Sequence, residues 1–254
     1  MPLPNPATTR EMQIHIGCSG WFYWHWRGIF YPEVERTDHW FRHYTQTFAT
    51  VELNAPFYKW PKPATVKAWR RNAPPGFRYS VKVNNLITHE KRMRGTRKLV
   101  REFYGIADTL GAQMGCFLFQ FPPSYKYTPS RLQRLLRQLD PAHRNALEFR
   151  HKSWWREAVY RQFCKAGLTF CSISSPRLPD ELILTSPALY IRLHGRSRWY
   201  RHDYSPDELA DWTRRIKASG ADEAWIYFNN DREGFAIKNA QELMRQLAGG
   251  DVRV

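Results

Sequence analysis

Apolar and polar positions alternate with a period of two in eight short stretches: 12–17, 48–53, 78–83, 115–121, 145–149, 168–173, 188–194 and 224–229. Between them the spacing shifts to the 3.6-residue period of amphipathic helices near 38–47, 63–72, 97–110, 129–139, 155–166, 206–218 and 234–247. Start and stop chemistry agrees with those bounds. Ser205-Pro206-Asp207-Glu208 combines an N-cap serine, a proline at the first helical position and a glutamate that closes a capping box. Thr128-Pro129 and Ser153 mark two further starts, and Gly167 and Gly220 stand just after helix ends. The link after the sixth strand, broken by Pro176 and Pro179, is expected to be irregular. Alternating strands and helices over 254 residues predict one α/β domain, a single (β/α)8 TIM barrel over 12–254, preceded by a flexible leader at 1–11.

Strand parity predicts what lines that barrel. Thr50, Glu52 and Asn54 share one face of the second strand, and Ser80 and Lys82 one face of the third. The same rule turns Gln120, Glu148, Arg150, Tyr190, Arg192, His194, Tyr227 and Asn229 toward the axis. In each strand the polar member comes last, at the C-terminal end, where barrels of this class carry their chemistry.

Composition changes this picture little, except in charge. Apolar residues make up 43%, enough for a large core, and no apolar run approaches the ~20 residues needed to span a bilayer. With no apolar targeting segment at the start, a cytoplasmic protein is expected, with no membrane partner. An excess of 39 Lys and Arg over 23 Asp and Glu, formally +16, favours anionic partners: a small molecule or a nucleic acid. Five basic residues between Lys91 and Lys98 could grip a polyanion backbone. Four cysteines lack metal-type spacing. Of these only Cys18, in a Gly-Cys-Ser-Gly turn, is a candidate reactive thiol. Oligomeric state stays open.

These residues, taken together, resemble the YecE-like family, also called the domain of unknown function 72 family. The resemblance runs through Ile16-Gly17-Cys18-Ser19-Gly20-Trp21, Val51-Glu52-Leu53-Asn54 with Phe57-Tyr58, Val81-Lys82-Val83 with Thr88-His89, and Gln120-Phe121-Pro122-Pro123. It continues through Glu148-Phe149-Arg150 with Ser153-Trp154, Arg192-Leu193-His194-Gly195 and Tyr227-Phe228-Asn229-Asn230. It implies a (β/α)8 barrel and no assigned activity. The family usually carries an Asp before the Ser-Pro that follows strand six. Here Ser174-Ser175-Pro176 lacks that carboxylate, which counts against any mechanism built on it.

Glu52, Glu148 and His194 are the expected catalytic groups, since buried carboxylates and an imidazole can be tuned for proton transfer or hold a divalent metal. An internal ion-pair network, Glu148 with Lys82 or Arg192 and Glu52 with Arg150, is the competing reading. Lys82, Arg150 and Arg192 suit a phosphate or carboxylate, oriented by Asn54, Gln120, Asn229 and Asn230, with His89 in a neighbouring loop. Lys82 could form a Schiff base if desolvated, although nearby carboxylates are expected to keep it protonated. The aromatic loop after the first strand offers Trp21 and Tyr23 as contacts, with Tyr58 and Trp154 closing the other sides. Hydrolysis or phosphodiester cleavage by an enzyme is the leading expectation, a non-catalytic nucleic-acid-binding protein the alternative.

Overall fold

The computed structural model of the chain describes residues 11–249. The expected leader lies, apart from Glu11, outside the described residues. Eight parallel strands run β1 (Gln13–Cys18), β2 (Thr50–Leu53), β3 (Arg78–Lys82), β4 (Met114–Phe121), β5 (Asn145–Phe149), β6 (Thr169–Ser174), β7 (Ala188–Leu193) and β8 (Glu223–Phe228). They pair in the order β1-β8-β7-β6-β5-β4-β3-β2, which wraps the sheet into a nearly closed barrel. Around it lie α1 (Trp40–Thr47), a single turn α2 (Ala55–Tyr58), α3 (Pro63–Asn72), α4 (Arg97–Leu110), α5 (Pro129–Gln138), α6 (Glu157–Ala166), α7 (Pro206–Lys217) and α8 (Phe235–Ala248). Every expected strand and helix is present, with ends displaced by no more than a few residues. The stretch between β6 and β7 carries no helix, as its prolines imply.

Local chemistry explains the bounds. Ser205 and Glu208 cap α7 reciprocally, and the Thr128 hydroxyl accepts from Arg131 N at the start of α5. Gly167 ends α6 in the left-handed region, φ 65°, which a side chain would strain. The outward strand residues Val51, Val81, Phe119, Phe149, Leu189 and Ile191 are buried against the helices.

The barrel interior changes character along its axis. At the N-terminal end His15 stacks on Trp225 with ring centroids 3.9 Å apart, closing the floor. There β3 and β4 shift register, and the glycine that β4 carries at the shift, Gly115, makes room for the Trp225 ring. Above them Cys116, Leu118, Ala146, Cys171, Ile173, Tyr190 and Tyr227 form a small inner core. The Tyr227 hydroxyl bonds Thr50 Oγ1 and Ser80 Oγ, each at 2.8 Å. The buried charged side chains Glu52, Lys82, Glu148 and Arg192 come last, at the C-terminal rim.

One seam, between β1 and β2, is closed by a side chain. Tyr44 on α1 inserts its hydroxyl there, accepting from Cys18 N at 2.9 Å and donating to Thr50 O at 2.9 Å. The phenol stands in for a ladder hydrogen bond. Gly17 is required beside it: a Cβ at that position would lie 2.2 Å from Thr50 O. Replacing Tyr44 by Phe leaves a buried amide and a buried carbonyl unpaired, and is expected to lower the unfolding free energy by about 1–3 kcal/mol. A urea melt with an unchanged midpoint would show that the seam does not depend on this hydroxyl.

Candidate functional site

Each polar residue at the top of the barrel is placed by the last turn of a strand. Glu52 on β2, Glu148 on β5 and Arg192 on β7 point inward by parity and are essentially unexposed. Arg192 sits between the two acids, with Nη2 donating to Glu52 Oε1 at 2.6 Å and Nη1 to Glu148 Oε2 at 2.5 Å. The remaining carboxylate oxygens are also occupied. Glu52 Oε2 accepts from the Tyr190 hydroxyl at 2.6 Å, and Ser19 Oγ donates to Glu52 Oε1 at 2.8 Å. Glu148 Oε1 accepts from Arg150 Nε at 2.8 Å. Thus Glu52 pairs with Arg192 and not with Arg150 as expected, because Arg150 turns back onto Glu148 two residues before it while Arg192 spans both acids.

These contacts set the protonation states. Burial alone would raise the Glu148 pKa, but Arg192, then Arg150 and His194, outweigh it and hold the carboxyl well below its usual range. Burial would lower Arg192, yet Glu148 and Glu52 keep it firmly charged. His194, fully buried, is lowered to about 3, chiefly by desolvation and against the pull of Glu148. Its Nδ1 lies 3.1 Å from Asn229 Nδ2, and its Nε2 stands 3.4 Å from Glu148 Oε1. The imidazole is neutral. Within the cluster two carboxyl groups are thus paired with two guanidiniums.

Lys82 is different. At the end of β3 it is 8% exposed. Its ammonium nitrogen lies 4.0 Å over the Phe57 ring and forms no ion pair within 4.0 Å among the described residues. The expected pairing with Glu148 is absent. Burial, with Arg192 second, lowers its pKa to about 7, while Glu148 and Glu52 oppose the shift.

These groups form the wall and base of a cleft of about 730 Å³ at the barrel mouth. It is lined by Tyr23, Asn54, Tyr58, Lys82, His89, Gln120, Arg150, Arg192 and Asn229, with Phe57, Pro122, Pro123 and Tyr200. Tyr58 is 74% exposed at its edge. His89 is lowered to about 4, first by burial and then by Lys82, and its Nδ1 contacts the Thr88 hydroxyl at 2.9 Å.

Three expected contacts lie elsewhere. Trp154 is buried behind β5, stacked on outward-facing Phe149 at 3.9 Å, with its indole N–H donated to Tyr125 O. Trp21 packs on Phe41 of α1, and its carbonyl accepts from the Tyr31 hydroxyl. Asn230 is buried and donates to His202 O and to Asn239 Oδ1 on α8. Cys18 closes β1 rather than lying in the turn, and its buried thiol has a pKa raised well above the ordinary value. It is not a reactive thiol. Ser174 is fully buried.

Four residues that sequence reasoning passed over belong to the site. Ser19 and Tyr190 hold Glu52, while Trp199 and Tyr200 cover Arg150: its guanidinium lies 4.8 Å over the Trp199 ring, and its Nη1 donates to the Tyr200 hydroxyl at 2.8 Å. Tyr200 adopts φ 64°, a left-handed conformation rare for a residue with a side chain. A neighbouring cleft of about 590 Å³, lined by His25, Trp199, Asp231 and Arg232 among others, shares Tyr200 and Asn229 with the first.

The expected divalent metal finds no fit. Among the described residues no group of three or more His, Cys, Asp and Glu side chains is arranged to hold one. The oxygens of Glu52 and Glu148 are already taken by Arg192, Arg150, Ser19 and Tyr190. Also among the described residues, no helix is long and apolar enough to cross a membrane.

Against known proteins, a family model described as "Protein of unknown function DUF72" matches residues 15–253. The UPF0759 protein YunF of Bacillus subtilis is 24% identical, over 92% of this chain and 94% of that protein. The UPF0759 protein YecE of Escherichia coli K12 is 28% identical over 61% of this chain and 55% of its own length. A crystal structure of a DUF72 family protein from Thermotoga maritima superposes with a TM-score of 0.85 at 27% identity, covering 93% of this chain and 99% of that one. One from Enterococcus faecalis, 20% identical with a TM-score of 0.80 and coverage of 93% and 96%, shares the fold.

Acidification tests the His194 assignment. An unfolded chain binds a proton on this imidazole below pH ~6.5, whereas the folded chain does not until about 3. Folding stability is therefore present above the upper value and lost as pH falls through the window, with a slope of about 1.4 kcal/mol per pH unit from this group. The depressed Glu148 adds loss of the same sign, starting as pH falls below the ordinary carboxylate pKa of about 4.3 and so overlapping the lower part of that window. In His194→Gln the pH dependence of unfolding is expected to flatten by that slope between these limits; an identical pH profile would mean that His194 titrates normally.

Proposed function

The chain belongs to the DUF72 family of proteins of unknown function, and from that premise we propose that it is an enzyme acting on a small anionic, phosphate-bearing substrate bound in the barrel-mouth cleft. One observation carries this reading. Lys82, Arg150 and Arg192 line the same open cleft, while the two acids beside them are consumed by Arg192 and Arg150. The cluster balances without Lys82, so the cleft keeps an uncompensated cation whenever that amine is protonated. Arg150 lines the cleft with Nε and Nη1 donating to Glu148 and Tyr200, and its guanidinium has further N–H donors to offer a phosphate or carboxylate.

Hydrolysis of a phosphate ester, the reaction class suggested by the strand-end acids, needs a group that exchanges a proton near neutral pH. Glu52, Glu148 and His194 are sealed beneath the cleft, the Glu148 carboxylate held ionised and the imidazole neutral. We assign them to positioning: they fix Arg192 and Arg150. Acid–base chemistry then runs through Lys82, lowered to about 7, with His89 beside it.

The basic segment after His89 favours a second reading, in which the phosphate belongs to a nucleic acid. Lys91, Arg94, Arg97 and Lys98 are exposed, next to the turn that brings His89 to the cleft. The two readings separate by titration. Inorganic phosphate is expected to change Trp199 fluorescence, with an affinity that falls at least about tenfold in Arg150→Met, the loss expected for one charge-assisted hydrogen bond. Changing the four exposed bases to Gln should leave that affinity intact. If phosphate binds wild type and Arg150→Met alike, or only the Gln variant loses it, the cleft is not the anion site and the nucleic-acid reading replaces it.

A further inference from the structure

We propose that Lys82 is the nucleophile of a carbonyl condensation, forming an iminium with an aldehyde or ketone that also carries an anionic group. The inference rests on the anion-binding reading of the cleft, names its substrate class more closely, and for such a carbonyl substrate gives Lys82 a covalent role in place of the acid–base role in ester hydrolysis. Most lysines in proteins stay protonated, either solvated or beside a carboxylate. Lys82 has neither condition. It is nine-tenths buried, packed over Phe57, and among the described residues its ammonium contacts no carboxylate within ion-pair distance. Glu52 and Glu148, the acids close enough to act on it electrostatically, already hold Arg192 and Arg150. Desolvation beside another cation is the environment that frees a lysine amine for attack. Burial and Arg192 bring this one to about 7, so a large share of it is unprotonated near neutral pH.

The reach is also right. Lys82 ends β3, and the cleft above it is open to a small molecule, with Arg150 in the same lining to hold the anionic group. The step balances without any added oxidant or reductant. The ammonium gives one proton to water in the mouth, and the amine lone pair attacks the carbonyl carbon, forming the C–N bond. The carbonyl oxygen takes up two protons, one returned by that water and one from nitrogen. It leaves as water, and the iminium nitrogen keeps the last proton. An iminium withdraws electrons from the neighbouring carbon, so the bond it activates is a C–C or C–H bond next to the former carbonyl.

Trapping tests the assignment. The full chain is incubated near neutral pH with cyanoborohydride and one of three probes: pyruvate, dihydroxyacetone phosphate, or acetone as a neutral control. Peptide mass spectrometry then locates the reduced adducts. An ordinary lysine is free amine in roughly one molecule per two thousand near neutral pH, against about half for a group that titrates there. Lys82 is therefore expected to be labelled at least about tenfold faster than exposed Lys91 or Lys98 by one or both anions, and about tenfold more slowly by acetone. Labelling by the phosphate alone, or by the carboxylate alone, identifies the anionic group. Lys82→Arg, which keeps a cation but has no condensing amine, should abolish the dominant adduct. Adducts spread over exposed lysines with none at Lys82, in a protein that still binds inorganic phosphate, would overturn the condensation and leave the anion site standing. Loss of phosphate binding as well as of the adduct in wild type would overturn both.

Discussion

A single guanidinium shared between two carboxylates organises the upper barrel. Arg192 reaches Glu52 with one nitrogen and Glu148 with the other, in a space with almost no solvent. Burying three charges is costly, and such clusters seldom add net stability over a packed apolar core. Removing one member is worse, because its partners then remain charged and unpaired. The arrangement is better understood as a positioning device. Glu148, held by Arg192 from one side, accepts Arg150 on the other and fixes that side chain at the mouth, where Trp199 and Tyr200 cover it.

Closure of the barrel and construction of this cluster belong to one network. The Tyr44 hydroxyl joins β1 to β2 at Cys18 and Thr50, and the next residue, Ser19, continues the contact upward. Its amide donates to Phe228 O, its hydroxyl to Glu52, and its carbonyl accepts from Asn54 Nδ2 and the Tyr23 hydroxyl. Gly20 follows at φ 110°, a conformation open to glycine that turns the chain into the aromatic loop. Loosening the seam would therefore move Glu52, and through Arg192 the rest of the site.

Much of this was legible in the sequence, and the physics explains where legibility ended. Strand parity has a period of two, so the inward direction of Glu52, Lys82, Glu148 and Arg192 follows from local sequence alone. Helix bounds followed from caps such as Ser205 with Glu208. Which charge meets which depends on barrel curvature, a nonlocal property, and hence Glu52 was matched to Arg150 when Arg192 faces it. Loops have no period to read. Trp21 and Trp154 resembled mouth residues but are drawn inward by Phe41 and Phe149, while Trp199 and Tyr200 were missed although they follow His194-Gly195 closely. A usable signal was present: two adjacent aromatics in a polar loop, just beyond a strand end rich in charge. The metal expectation failed for a related reason, since counting potential ligands does not reveal that their oxygens are already bonded.

Barrel folds host many chemistries, so shared architecture with other DUF72 proteins says little about reaction type; unmatched groups say more. Lys82 is unmatched because the acids near it are committed to stronger, bidentate-capable cations. That has a consequence for what can bind productively. An anion seated directly on Lys82 would stabilise its ammonium and raise its pKa, suppressing the free amine that attack requires. An anion held by Arg150 neutralises a charge that acts on Lys82 more weakly than Arg192 and the two acids do, and so raises the amine's pKa less. The site therefore favours molecules whose charged group is held by Arg150 while the reactive carbon reaches Lys82. Simple inorganic anions would instead compete by protonating the lysine. Substrate shape and lysine protonation are thus two aspects of one electrostatic balance, set by where Arg192 places its charge.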